Sequence, residues 1–327
     1  LAVILTNSMD FGDVQMEACS TCPGAASRGA GGTVYLQHTN HVPGQGILIV
    51  DYKDVIPSGR FLTMNSRALC MTVQNGLESS SNQFSEIVVT NGGIFALDTN
   101  DVLTVTESTV IRGDPSDRND GFYLSGGTLN LPSSFTAFSN YFIGIGATGL
   151  SLNASIPALS VETNAGLTID APFTVQFPLT IAPGGILDHT PNFSDETYKV
   201  DLTCLAGLNV QTGGQINVDG LGYQYFDYAA YGPGKYIAGS AGAGHGGVGG
   251  ARNVASTGGV AYGSIVAPTN IGSAGNGGSG GGAIRLVVHG TATVNGGISA
   301  RASSGGYGGS GGSVFLTAGA LEGAGTI

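Results

Sequence analysis

Glycine recurs along this chain in two registers, and together they limit the folds open to it. The first is a Gly-Gly-type turn between two short apolar strands. It appears in Val88-Val89-Thr90-Asn91-Gly92-Gly93-Ile94, in Leu179-Thr180-Ile181-Ala182-Pro183-Gly184-Gly185-Ile186 and in Asn209-Val210-Gln211-Thr212-Gly213-Gly214-Gln215-Ile216. Thr293-Val294-Asn295-Gly296-Gly297-Ile298 repeats it. The turn glycines step by 29 from Gly184 to Gly213 and again from Gly296 to Gly325, and by 58 from Gly126 to Gly184. From Gly92 to Gly126 the step is 34, one repeat with a small insertion, and from Gly213 to Gly296 it is 83, near three repeats. A recurring period of this size is the mark of stacked repeats.

The second register is a spacing of three. Gly305, Gly308 and Gly311 follow it, as do Gly244, Gly247 and Gly250, and Gly275, Gly278 and Gly281. Residues 231–327 hold 31 glycines in 97 residues. Three residues per turn matches an extended left-handed helix, whose backbone groups must pair with neighbouring strands when buried. Flexible Gly/Ser linkers are the other way to use such a composition. The interleaved Tyr231, Tyr236, Val248, Val254, Tyr262, Ile265 and Tyr307 are too apolar for a linker.

The apolar residues alternate with polar ones over short runs, as in Leu167-Thr168-Ile169-Asp170 and Phe173-Thr174-Val175-Gln176-Phe177. That is strand periodicity. Glycines and prolines interrupt every helical candidate. The expectation is an all-β fold: a parallel β-solenoid (β-helix), right-handed by the crossover rule, with a glycine-rich, polyglycine-II-like packed extension. Three regions are expected: 1–86, strands and loops with the cysteines; 87–202, solenoid coils; and 203–327, the glycine-rich solenoid region.

With 57 glycines in 327 residues, the chain lacks the one-in-three G-X-Y register of collagen. Charged residues are 10% and the net charge is −11, divided as −14 over residues 1–230 and +3 over residues 231–327. An acidic chain disfavours nucleic acid, which needs a basic face. No run is apolar enough for a membrane span.

Cys19, Cys22, Cys70 and Cys204 make an even set in a charge-poor chain. This fits secretion and disulfides, with three pairings open. Cys19-Ser20-Thr21-Cys22 also spells a C-x-x-C, but the strand-to-helix context of a redox motif and the further ligands of a zinc site are missing. Free thiols are the remaining reading. Two glycosylation sequons start at Asn153 and Asn192 and matter in a eukaryotic source. The chain begins at Leu1 without an initiator Met, which reads as a mature or partial product, and it stops mid-pattern at Ile327, as expected of a fragment of a longer solenoid or of a subunit whose end docks on the next.

Gly277-Gly278-Ser279-Gly280-Gly281-Gly282-Ala283-Ile284-Arg285-Leu286 is followed by Thr293-Val294-Asn295-Gly296-Gly297-Ile298-Ser299-Ala300 and then by Gly309-Ser310-Gly311-Gly312-Ser313-Val314-Phe315-Leu316. This run resembles glycine-rich β-solenoid segments of very large secreted and cell-surface proteins of bacteria, algae and protists. The resemblance covers about 203–327, and 25–60 more loosely. It implies passive architecture in adhesins, sheaths and fibres, with no catalytic residues to transfer.

Candidate chemistry is sparse. Asp114, Asp117 and Asp120 place three carboxylates in one turn, a calcium candidate that falls one residue short of the EF-hand spacing. A solvated polar loop is the plainer reading. Arg112-Gly113-Asp114 is an integrin-type tripeptide that a glycine-rich chain produces by chance. Asp51, Lys53, Asp54 and Arg60 have the residue types of a β-helix polysaccharide lyase, without a sign that they converge. His38 and His41 offer two metal ligands and no third. Tyr223, Tyr225, Tyr228 and Tyr231, with Phe226 and Tyr236, form an aromatic cluster suited to sugar stacking, to subunit contact or to capping an end. The expected function is non-enzymatic: a structural module of an extracellular fibre, appendage or surface layer. It has no cofactor apart from the calcium candidate, and its partners are copies of itself or other filament subunits. An adhesin or glycan-binding module is the alternative. Ice binding and lyase activity rank below it.

Overall fold

The computed structural model describes residues 1–16, 32–51, 81–90, 94–97, 102–107, 110–111, 121–124, 128–132, 134, 137–138, 141–144, 151–152, 159–161, 163 and 165–327. Among these residues there is no helix, and none therefore is long and apolar enough to cross a membrane. The chain divides into two compact units, Leu1–Leu167 and Thr168–Ile327.

The first unit holds several small sheets. One runs in the order Ala2–Ile4, Gly32–Gln37, Ile47–Asp51, Glu86–Thr90, with Gly32–Gln37 antiparallel to Ile47–Asp51 and the outer pairs parallel. Val34, Leu48, Val50, Ile87 and Val89 form its buried face, as the alternation of Ile-Leu-Ile-Val-Asp and Glu-Ile-Val-Val-Thr dictates. The remaining strands are parallel. Leu129 lies beside Leu103, and Phe142 lies beside Phe122.

In the second unit, six parallel strands curl into a half-barrel. Phe173–Val175 pairs with Val200–Cys204, and Leu179–Ile181 with Leu208–Val210. The 12-residue strand Ala283–Val294 spans both: its first half lies on Val200–Cys204 and its second on Leu208–Val210. Ser313–Glu322 lies on its other side. A further parallel set joins Ile186–Asp188, Gln215–Asn217 and Gly297–Ser299. Leu179, Ile181, Leu187, Leu202, Val210, Ile216, Ile284 and Leu286 fill the core. In Val200–Cys204 the V-D-L-T-C alternation buries Val200, Leu202 and Cys204 and turns Asp201 and Thr203 outward.

The expected β-solenoid with a polyglycine-II-like extension is therefore corrected. Small four-stranded sheets, one of them mixed, stand beside parallel strands that form a half-barrel rather than regular coils. The reason lies in the repeat length. Asn209 sits beside Thr180, 29 residues on, but Tyr141 sits beside Gly121, 20 residues on, and Thr293 beside Asn209, 84 residues on. The chain between paired parallel strands thus varies from 20 to 84 residues, so the pairing follows no single repeat length. Residues 231–282 form no strand; turns and isolated bridges such as Ala238↔Thr257 fold them back within their own unit.

Candidate functional site

Two features of the second unit stand out from ordinary packing: a layered glycine backbone with one open face, and an exposed aromatic shelf.

The layers are joined backbone to backbone. Gly222 N–H donates to the Gly280 carbonyl, Gly280 N–H to Tyr223, and Gly272 N–H to Gly281. On the next level, Gly281 N–H donates to Ser310, Ser310 N–H to Ser273, and Ser313 N–H to Gly282. A Cβ on Gly280 would overlap the Gly272 carbonyl, and one on Gly312 the Gly282 carbonyl. These positions require glycine because a backbone, not a side chain, occupies the space. Serine hydroxyls tie the layers further: Ser303 Oγ accepts the Ser279 N–H at 2.8 Å, and Ser310 Oγ the Ser273 N–H at 2.8 Å. Half-buried among them, Tyr262 donates to the Ile271 carbonyl and accepts from Ser273 Oγ at 2.9 Å; desolvation pushes its phenol up to about 12.

The outermost layer is open on one side, although the Gly308 carbonyl accepts the Ala243 N–H and the Gly311 carbonyl meets His245 Nδ1 at 2.9 Å. Ser304, Gly305, Gly306, Gly308 and Gly311 are exposed, and a Cβ on Gly308 would meet nothing. The adjoining strand Ser313–Glu322 pairs with Ala283–Val294, and among the described residues no strand pairs with its other edge. Leu321 within that strand and Ile327 after it are exposed.

The aromatic shelf is built from a loop and a hairpin. The Phe193 ring meets Phe226 edge-on at 5.6 Å and Tyr231 at 5.0 Å. Phe193 is 48% exposed, Phe226 56% and Tyr228 85%. The hairpin strands Tyr225–Phe226 and Ala229–Ala230 are joined through Asp227 and Tyr228, both at positive φ, 47° and 62°. Two-residue hairpin turns need such angles and usually place Asn-Gly there.

The structure corrects three of the sequence-based assignments. Tyr223, expected on the surface, is 7% exposed and packs with Ile271 and Ala283. Tyr225 and Tyr231 are half-buried, and Tyr228 alone of the four is fully exposed. Asn192 is 2% exposed and cannot carry a glycan: its Nδ2 donates to the Tyr198 and Leu221 carbonyls and its Oδ1 accepts from Thr197 and Tyr198 N–H. Cys204, counted among the disulfide cysteines, is a buried free thiol, which burial pushes up to about 12. Asp114, Asp117, Asp120, Cys19, Cys22, Cys70 and Asn153 lie outside the described residues. Among the described residues no three His, Cys, Asp or Glu side chains gather as a metal site. His38 and His41 stack on each other at 3.7 Å. Phe193 escaped the sequence reading because it falls inside the Asn192 sequon; an aromatic amid Pro, Asn, Ser and Asp was the available signal.

Comparison with known proteins gives no matching family model, no matching curated protein and no matching solved structure.

Proposed function

We propose that this chain is a structural module of an extracellular fibre, appendage or surface layer, which associates through backbone packing rather than through a catalytic site. The observation that carries this reading is the open side of the outer glycine layer beside an unpaired parallel strand edge. Inner layers of the same kind are closed by carbonyls and N–H groups of the next layer, so the outer one has the chemistry to receive another. The receiving groups are generic backbone donors and acceptors, and a second copy supplies the same set.

Gly308→Val tests this reading. Its new side chain meets open space in the isolated chain but stands in the path of an added layer. Light scattering and electron microscopy should show concentration-dependent oligomers or filaments for the parent chain. The variant should stay monomeric with an unchanged unfolding midpoint. A parent chain that stays monomeric at every concentration, or a variant that assembles equally well, overturns the reading.

A further inference from the structure

We propose that the shelf of Phe193, Phe226 and Tyr231, with Tyr228 at its tip, binds a neutral saccharide. This inference is independent of the assembly reading, since it uses a different surface.

The shelf is held in place before any ligand arrives. Asn192 fixes the Phe193 loop through its four amide hydrogen bonds, and Gln224 N–H donates to the Phe193 carbonyl at 3.1 Å. The hairpin carries Phe226 on one strand and closes through Tyr228 in the left-handed region, where a bulky residue is strained. Glycine would relieve that strain. Keeping an exposed phenol there instead points to a use for the ring.

Size and chemistry select the ligand. The exposed ring surface is on the order of 400 Å². A stable protein interface needs about 800 Å² from each partner, whereas one or two sugar rings cover a shelf of this extent. Aromatic faces carry negative quadrupole density, which attracts the polarised C–H groups on a sugar's flat face. The rim supplies hydrogen-bonding groups for hydroxyls: the exposed Asp195 and Asp227 carboxylates, Ser194 and the Tyr228 phenol. The nearby cation Lys199 is already paired with Glu196 at 2.8 Å. The exposed Asp195 and Asp227 carboxylates disfavour uronates, sialic acids and sulfated sugars and leave the neutral ones.

Saturation-transfer NMR on the full chain tests the site, with linear β-linked glucose and N-acetylglucosamine oligomers as probes and a sialylated oligosaccharide as the charged comparison. Saturating the aromatic protons should transfer to the C–H protons of at least one neutral oligomer, with little transfer to the charged sugar. Phe226→Ala should weaken that binding about tenfold or more. Tyr228→Gly suits the turn better than tyrosine and so keeps the fold; it should weaken binding several-fold while the unfolding midpoint holds or rises. The proposal is overturned if no neutral oligomer binds at about 1 mM, if the charged sugar binds best, or if both variants bind like the parent chain.

Discussion

His189 shows how one buried side chain sets a pH limit on the second unit. Its Nδ1 lies 2.8 Å from the Thr190 carbonyl and so carries the proton, while its Nε2 accepts the Ala283 N–H at 3.3 Å. Gly282 lies so close to Nε2 that even a methyl group there would collide with the ring. Protonating Nε2 would turn two donors against each other in a site without water contact. Burial therefore pushes His189 down to about 4; Lys199 adds to the effect and the Thr190 carbonyl opposes it. The unfolded chain takes up that proton near pH 6.5, the folded chain only near 4, so acid favours the unfolded state across this window. Stability should fall on acidification from about pH 6.5 to 4, by up to about 1.4 kcal/mol per pH unit, and flatten below. Asp170 works in the opposite direction. Desolvation raises its pKa despite two hydrogen bonds from Thr190, so its contribution is lost as the pH rises above the usual carboxylate range. Urea titrations at several pH values should show the histidine slope in the parent chain and a reduced slope in His189→Asn. Equal slopes would rule His189 out as its source.

At the scale of elements, glycine falls into two populations that composition alone cannot separate. Gly280 has its missing Cβ aimed at a neighbouring carbonyl; Gly308 has it aimed at open space. Gly280→Ala must push two backbone layers apart and break hydrogen bonds such as Gly280 N–H to the Tyr223 carbonyl. It should cost about 2–4 kcal/mol or prevent folding. Gly308→Ala should change stability by no more than about 0.5 kcal/mol. Thermal unfolding of the two variants side by side checks this, and equal losses would contradict it. The same contrast shows what the sequence could reveal. The 29-residue step was visible and is real where Thr180 lies beside Asn209. The alternation in Phe173-Thr174-Val175-Gln176-Phe177 holds, with Phe173, Val175 and Phe177 buried and Thr174 and Gln176 exposed, whereas in Leu167-Thr168-Ile169-Asp170 the polar Thr168 and Asp170 are buried too. Hidden were the unequal rungs elsewhere, because local periodicity carries no information on which distant strands close a sheet. The jump from Asn209 to Thr293 was visible as the 83-residue step between turn glycines, but it reads as three repeats, whereas residues 231–282 within it form no strand. Tyr223 and Asn192 misled for a related reason: each looks like a surface residue by type, and only the fold around it supplies the partners that make burial affordable in hydrogen bonds and contacts.

For the whole chain, charge and backbone packing pull in opposite directions. The net charge of −11 makes every copy repel every other. The groups we propose for association are uncharged: N–H and C=O along Ser313–Glu322, and the exposed Gly305, Gly306, Gly308 and Gly311. One local ion pair, Arg285 with Asp201, belongs to the half-barrel sheet and not to the open face. Salt should therefore act through the repulsion alone. Raising ionic strength from 0.01 to 0.15 M shortens the screening distance from about 30 Å to about 8 Å. Backbone hydrogen bonds and apolar burial are left nearly untouched by that change, so association should strengthen. An assembly held by ion pairs would weaken over the same range, because screening removes its attraction. Light scattering at fixed protein concentration across that salt range separates the two: growth in particle mass with salt supports backbone-mediated association of an acidic chain, and a fall in mass would assign the contact to charged side chains instead.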